Sequence, residues 1–270
     1  MRDAAGSAPV ESIREWALRN LGLKFDSARD DLLLTRLGSV SRRFGGSLAD
    51  VSRRLHAGDR GVALVVAEEL STNHTSFFRE RTTFDALRDD LLPSFDAAQP
   101  LRLWSAATSS GEEAYSMALS AVAAFGLDDA RERVRVLGTD ISERQLRRAE
   151  RGTYDETALE HVDDSLRPYF AGGGPSGTRI AREIASMCVF RRLNLAHAPW
   201  PFEQRFHVVF VRNVLYYFEP AMRVDLLARV FDVTVPGGWL VTSVTEPLIE
   251  VPRGFIAGGP GIYRKVGGRR

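Results

Sequence analysis

From residue 101 onward the chain alternates short apolar runs with amphipathic segments, and this alternation restricts the fold more than any other feature. "LRLWSAA" is followed by "SGEEAYSMALSAVAAFG", and "VRVLGTD" by "SERQLRRAERG". "MCVFRRLNL" and "FHVVFVRNVLYYF" come next, and then "PAMRVDLLARVFDVT". Read as strands and helices in turn, they predict a parallel, doubly wound α/β sheet. The helix signals agree: acids open the first helix and Gly126 closes it, Ser142 caps the second, and Pro220 stands near the start of the third. "VPGG" predicts a turn, and "WLVTSVT" and "GIYRKV" can supply later strands. Within "RPYFAGGGPSGTRIAREIA" the glycines break the alternation, and "TRIARE" is a candidate short extra strand.

Residues before 101 carry no strand signal. "ESIREWALRNLGL" puts Ile13, Trp16, Ala17 and Leu21 on one helical face. "DDLLLTRLGSVSRRF" and "SLADVSRRLHAG" continue the helical pattern, with Ser47 as a cap and Gly58 as a stop. The expected organisation is a helical domain over 11–92, a linker over 93–100 between Pro93 and Pro100, and a larger domain over 101–270.

The chain has 270 residues, 44% hydrophobic and 26% charged, an ordinary globular mix. No apolar run reaches the roughly 18 to 20 residues of a membrane-spanning helix. "MRDAAGSAPVES" lacks the apolar centre of a secretory signal, so a cytoplasmic location without membrane insertion is expected. One cysteine, Cys188, excludes an internal disulfide and a cysteine-cluster metal site, and a buried, inert thiol is expected. A net charge of +1 gives no global field for nucleic acid. Charge is nevertheless uneven: Arg36, Arg42, Arg43, Arg53, Arg54 and Arg60 face only Asp50 and Asp59 in their stretch. That cluster reads either as a solvated helical face or as a docking surface for an acidic partner.

Ligands of open α/β sheets bind beyond the carboxyl ends of the strands. After the first strand stands "SAATSSGEE", small and polar, without a dinucleotide fingerprint or a P-loop. Such a loop suits a nucleoside better than a dinucleotide. After the second strand comes Asp140, which can accept two hydrogen bonds from a ribose diol or act as an acid on a helix dipole. Ser142 is the better helix cap, which favours the ribose role. After the third strand come Asn194 and Leu195, an amide and an apolar surface able to meet a base. After the fourth come Arg212, Asn213 and Val214. Together these tips describe a site for an adenosine-like ligand without phosphates, and S-adenosylmethionine is the obvious candidate.

"STNHTSFFRE", "LRLWSAATSSGEEAYSMAL", "VLGTDISERQLRRAERGTYDE" and "FHVVFVRNVLYYF" together resemble the CheR family, over roughly residues 11 to 266. These are S-adenosylmethionine-dependent methyltransferases that esterify glutamates on bacterial chemoreceptors. The resemblance implies a Rossmann-like class I methyltransferase sheet, a small all-helical N-terminal domain and a small inserted antiparallel β-subdomain, here at about 171–192. By the same resemblance Asn73, Thr75 and Arg79 line the cofactor site, Glu113 contacts it from the first loop, and Asp140 holds the ribose. Asn194, Leu195, Arg212, Asn213 and Val214 form the remaining wall. Arg79 orients the carboxylate or the cofactor, and Tyr217 sits by the transferred methyl. The product is S-adenosylhomocysteine. The implied partner is a methyl-accepting chemoreceptor or a similar signalling protein, with Arg36, Arg42 and Arg43 as a possible surface for its acids.

His74 falls on the motif's variable position and receives no role, while Phe77 and Phe78 read as packing. Tyr216 replaces what is often an aliphatic residue and is also read as packing. "SVTEPL" stands where many relatives have "G-H-S-E", so Glu246 matches and the preceding pair does not. Ala114 replaces a frequent proline. The other functional readings are a cofactor-binding regulatory module without turnover, and a small-molecule or RNA methyltransferase. The RNA reading lacks a basic, aromatic-rich groove.

Overall fold

The computed structural model describes residues 4–25, 30–71, 75–173, 177–246, 248, 251 and 254–267. Four helices come first. Helix α1 spans Ala4–Leu21 and buries Val10, Ile13, Ala17 and Leu21. It starts before the expected residue 11 because the alanines of "AAGSA" favour helix without adding apolar periodicity. Helix α2 (Asp30–Phe44) runs unbroken through Gly38 and Ser39, since Leu33, Leu37 and Val40 hold one buried face. Helix α3 (Leu48–His56) opens with a capping box. The Ser47 hydroxyl accepts the Asp50 N–H at 3.2 Å, and the Asp50 carboxylate accepts the Ser47 N–H at 3.0 Å. Asp59 caps α4 (Arg60–Leu70) by accepting the Gly61 and Val62 N–H groups at 2.9 and 3.1 Å.

Helix α5 (Arg81–Ala86) continues as one wide turn over Leu87–Leu91 and stops before Pro93. Residues 93–100 then run in turns against the sheet, with the Phe95 ring edge-on to His207 at 5.2 Å.

The rest of the chain builds the sheet. Its elements are β1 (Leu101–Ala106), α6 (Glu112–Phe125), α7 (Leu127–Arg133), β2 (Val134–Asp140), α8 (Glu143–Arg151) and β3 (Thr153–Tyr154). Then come β4 (Phe170–Gly172), β5 (Thr178–Ile180), α9 (Arg182–Ala185), β6 (Cys188–Arg192) and β7 (Phe206–Val211). The chain closes with α10 (Pro220–Val233), β8 (Thr234–Thr242), β9 (Phe255–Gly259) and β10 (Ile262–Lys265).

The main sheet has the order β6-β2-β1-β7-β8-β10-β9. Strands β6, β2, β1, β7 and β8 are parallel, and β10 runs antiparallel between β8 and β9. The doubly wound α/β class expected from the alternation is the observed one. Strand order reverses between β1 and β7, which opens a crevice at their carboxyl ends. Both faces are covered: Leu101, Leu103, Val208 and Phe210 pack with α6, and Trp104, Ala106, Val209 and Val211 pack with α10. Burial on both sides explains why these strands read as continuous apolar runs.

Two local expectations change. The small antiparallel sheet β3-β5-β4 spans 153–180, not 171–192, and Cys188–Arg192 is the edge strand of the main sheet. The described glycines Gly172, Gly173 and Gly177 stand only where β4 turns into β5, while Thr153–Tyr154 has no apolar run of its own. "VPGG" is not a turn but the bulged start of β8: pairing with β7 shifts register between Phe206 and Val208, and Gly237 takes φ +77°. Strand β9, "FIAGG", carries too little strand signal to be foreseen. Among the described residues no helix is long and apolar enough to cross a membrane.

Candidate cofactor and active site

A cleft that is partly open to solvent lies at the strand-order switch. Strand ends supply one wall: Ser109 and Glu113 after β1, Asp140 and Ile141 after β2, Asn194 and Leu195 after β6, and Arg212, Asn213 and Val214 after β7. The helical segments supply the other, through Leu21, Leu23, Leu70 and Ser71. Thr75, Ser76 and Arg79 cross between the two. Tyr217 and Phe218 complete the lining. Every site residue expected from the sequence therefore meets in one cleft except Asn73, which lies outside the described residues together with His74.

The loop after β1 turns sharply into α6. Gly111 has φ +96°, and a Cβ there would sit 2.7 Å from the Ala149 methyl, so glycine lets α6 approach α8. Asp140 closes β2 with its carboxylate buried. Its Oδ2 accepts the Ser109 N–H and its Oδ1 the Ser142 N–H, both at 2.9 Å. The Ile141 N–H is a third backbone donor to this carboxylate, so of about four acceptor positions roughly one is left for a ligand hydroxyl. Burial pushes this carboxyl upward and the backbone donors pull it back.

Glu113 receives the Ser105 hydroxyl at 2.7 Å and Arg212 Nη1 at 3.0 Å. Burial raises its carboxyl, and Arg212 and Ser105 oppose that rise. Arg212 is itself buried. It also donates to the Arg79 carbonyl, lies 3.4 Å from Glu80 and stacks over the Phe84 and Phe210 rings. Its charge thus joins the strand end to the 75–80 segment.

Glu80 was not singled out by its sequence position, yet it is the hub of that segment. It accepts from Asn213 Nδ2 at 3.1 Å, the Ser243 hydroxyl at 2.7 Å and the Val244 N–H at 2.9 Å. Burial raises its carboxyl, but these donors overcome it and hold it below the usual range. Phe77 and Phe78 anchor the same segment in the core, and the Phe78 N–H donates to Ser116 at 2.9 Å. The hydrogen-bonding groups of "TSFFRE" therefore stitch a crossing segment onto the sheet.

Two amides hold the frame rather than facing outward. Asn213, at φ +55°, bridges Glu80 and Ser243. Asn194 Nδ2 donates to the Asn20 carbonyl at 2.9 Å, and its Oδ1 accepts the Ala196 N–H at 3.0 Å. The expected amide contact to a base is thereby reduced to what the second N–H can offer. Leu23 bridges Phe218, and the Lys24 N–H donates to the Tyr217 carbonyl at 2.8 Å. Gly22 permits this approach: at φ +69°, a Cβ would lie 2.8 Å from the Phe218 ring.

Tyr216 packs against Tyr217 but not in the core. It is exposed, and its hydroxyl donates to the Tyr217 hydroxyl at 2.9 Å. It sits in a 3₁₀ turn, where apolar patterning carries no information about side-chain direction. Glu246 accepts the Tyr216 N–H at 3.1 Å. Arg36 also departs from the expected docking set. It is half-buried, with Nη1 on the Leu70 carbonyl at 2.5 Å and its charge felt by Tyr217, Glu69 and Tyr216. Arg42 and Arg43 are exposed on the same helix, with Arg43 3.4 Å from Glu68. Cys188 is partly buried, and burial pushes its thiol up, away from the reactive thiolate.

The described lining sets two acids and two arginines in a broad apolar surface, and Arg212 is already paired with Glu113, a mix that suits a nucleoside. Residues 73–257 match the model of the CheR methyltransferase, SAM binding domain. Chemotaxis protein methyltransferase 1 of Pseudomonas aeruginosa is 32% identical, covering 97% of this chain and 99% of its own. Chemotaxis protein methyltransferase Cher2 of Pseudomonas putida is 30% identical over 92% of this chain and 94% of its own. A chemotaxis protein methyltransferase of Borreliella burgdorferi is 30% identical over 85% and 84%. The match runs from the crossing segment through every strand that borders the cleft, so the Rossmann-like sheet is a class I methyltransferase sheet and the chain belongs to the CheR methyltransferase family.

Proposed function

We propose that this protein transfers a methyl group from S-adenosylmethionine to the side-chain carboxylate of glutamates on a chemoreceptor or a related signalling protein, in chemotaxis adaptation. The observation that carries the reading is the meeting of Asp140, Glu113, Arg79 and Tyr217 in one cleft at the strand-order switch. When bound, the cofactor supplies a sulfonium methyl carbon as electrophile.

Asp140 would hold its ribose with the acceptor capacity that its backbone donors leave open. Leu21, Leu70, Ile141 and Leu195 provide apolar walls that exclude water. Glu113, fixed by Ser105 and Arg212, offers negative charge for a cationic end of the ligand. A glutamate is ionised at neutral pH, so the reaction needs no general base. What the chain must supply is alignment of nucleophile, carbon and leaving group. Arg79 can orient a carboxylate through its planar donors, and the Tyr217 hydroxyl can hold one of its oxygens. Arg36, whose charge is felt by both tyrosines, adds a cation on the side of the helical wall.

The test is transfer of labelled methyl from S-adenosylmethionine to candidate chemoreceptors, followed by release of the label in base. Base-labile label on receptor glutamates supports an ester product. Cofactor binding without transfer to any receptor would support the regulatory reading instead.

A further inference from the structure

Two phenols meet at the edge of the cleft. Tyr216 and Tyr217 are neighbours in the 3₁₀ turn Leu215–Tyr217. Their rings nonetheless lie 4.1 Å apart between centroids at 48°, and the Tyr216 hydroxyl donates to the Tyr217 hydroxyl at 2.9 Å. Of the two, only Tyr217 lines the cleft. Glu246, by accepting the Tyr216 N–H, fixes the turn that presents the pair.

A phenol carries one proton and two acceptor positions. With Tyr216 as donor, one acceptor position of Tyr217 is filled, and the Tyr217 proton must point to an acceptor other than Tyr216. Accepting a hydrogen bond also makes a hydroxyl a stronger donor. The opposite order would turn Tyr217 lone pairs outward, toward any anion that approached. Arg36 and Arg79 lie within electrostatic range of the pair and favour such an approach.

We propose that Tyr216 is a positioning residue that sets the polarity of the Tyr217 hydroxyl, so that Tyr217 donates its proton toward the methyl-accepting carboxylate. The proposal rests on the reading of the cleft as a site of methyl transfer to a carboxylate. Tyr216 acts only through Tyr217 and touches neither substrate nor cofactor.

Tyr216→Phe removes the hydroxyl and keeps the ring. Single-turnover methyl transfer should fall about three- to tenfold, as for one lost neutral hydrogen bond. Cofactor affinity should stay unchanged. In a Tyr217→Phe background the same substitution should cost nothing further, because the group it acts through is gone. A Tyr216→Phe rate equal to wild type, or losses that multiply in the double variant, overturns the proposal and leaves the methyl-transfer reading standing. A second measurement needs no substrate. With 3,5-difluorotyrosine at position 216, ionisation can be followed by fluorine resonance near neutral pH. If the two hydroxyls are coupled, Tyr217→Phe shifts this titration, because the neutral phenol loses its acceptor and the phenolate loses a donor. A titration that Tyr217→Phe leaves unmoved overturns the proposal. A wild-type protein that methylates no receptor glutamate removes the underlying reading, and the proposal falls with it.

Discussion

Glu80 and Asn213 are 133 residues apart in sequence and 3.1 Å apart in the fold. That contact, with Ser243 and Val244 on the same carboxylate, fixes residues 75–80 across the carboxyl ends of β7 and β8. The segment that crosses the cleft thus depends on one acid that no strand or helix carries.

Glu80→Ala should destabilise the fold by about 2 to 4 kcal/mol, from lost charge-assisted bonds and an uncompensated Arg212. The effect should depend on pH. The Glu80 carboxyl is held below its unfolded value, so its contribution is present above the ordinary carboxylate range and is lost as pH falls through the folded value. Urea unfolding of wild type and Glu80→Gln at pH 7 and pH 4 measures this. Equal stability of Glu80→Ala and wild type at pH 7 would mean that the phenylalanines alone dock the segment.

His207 gives a second acid-sensitive point, away from the cleft. It is buried on β7, where Nδ1 accepts the Arg102 N–H at 3.0 Å and Nε2 meets the Gln99 amide at 2.8 Å. Burial, with the Arg102 charge, lowers its pKa from 6.5 to about 4. The unfolded chain therefore binds a proton more readily between those values, and stability should fall as pH drops through that window. The loss should be about 1 to 3 kcal/mol. His207→Asn keeps an acceptor near Nδ1 without the titration. If the wild-type and Asn proteins lose equal stability between pH 7 and pH 4, His207 is not responsible.

Periodicity made the sheet legible, because strands buried on both faces must be apolar throughout, as "FHVVFV" is. The strand-end residues followed from topology alone, since Asp140 and Arg212 stand directly after or at the close of their strands. What those side chains do was less visible. Arg212, Asn213 and Asn194 line the cleft, but their polar atoms hold other parts of the chain. Long-range partners such as Glu80 and Asn20 have no local signal. Tyr216 is half exposed against an expectation of packing for the same reason: in an irregular turn, neighbouring residues do not announce their direction. The helical wall, with Leu21, Leu23 and Leu70, follows only from docking between distant elements.

Asp140→Asn should weaken binding of both S-adenosylmethionine and S-adenosylhomocysteine by roughly tenfold to more than a hundredfold, as for a lost charge-assisted bond of about 1.5 to 3 kcal/mol. The amide keeps one acceptor for Ser109 or Ser142, which limits damage to the loop. Titration calorimetry on the full chain reads the effect. Wild-type affinity in a correctly folded variant would move the ribose contact to another residue.

Arg36 and the exposed pair Arg42 and Arg43 should separate in function. The double variant Arg42→Ala, Arg43→Ala should slow receptor methylation at low salt and flatten its salt dependence, since exposed charges are screened over about 8 Å at physiological ionic strength. Arg36→Ala should instead reduce transfer at saturating receptor, because its charge is felt by both tyrosines. Receptor titrations at two salt concentrations distinguish these effects. A double variant with wild-type methylation at low salt would identify Arg42 and Arg43 as a solvated face.

Tyr217→Phe tests chemistry apart from binding. The ring lines the cleft and its carbonyl accepts the Lys24 N–H at 2.8 Å, neither of which Phe disturbs. Fold and most cofactor affinity should therefore persist. The hydroxyl is not needed to ionise a glutamate, so its contribution would be to orient the carboxylate as charge redistributes toward the transition state. Transfer should slow by roughly 10- to 1000-fold, as for one positioned polar contact in a transition state. Single-turnover methylation at saturating cofactor reads that step directly. A Tyr217→Phe rate within about twofold of wild type, well short of the tenfold expected from 1.4 kcal/mol, would remove Tyr217 from the reaction, withdraw the role given to Tyr216, and leave Arg79 as the group that orients the carboxylate.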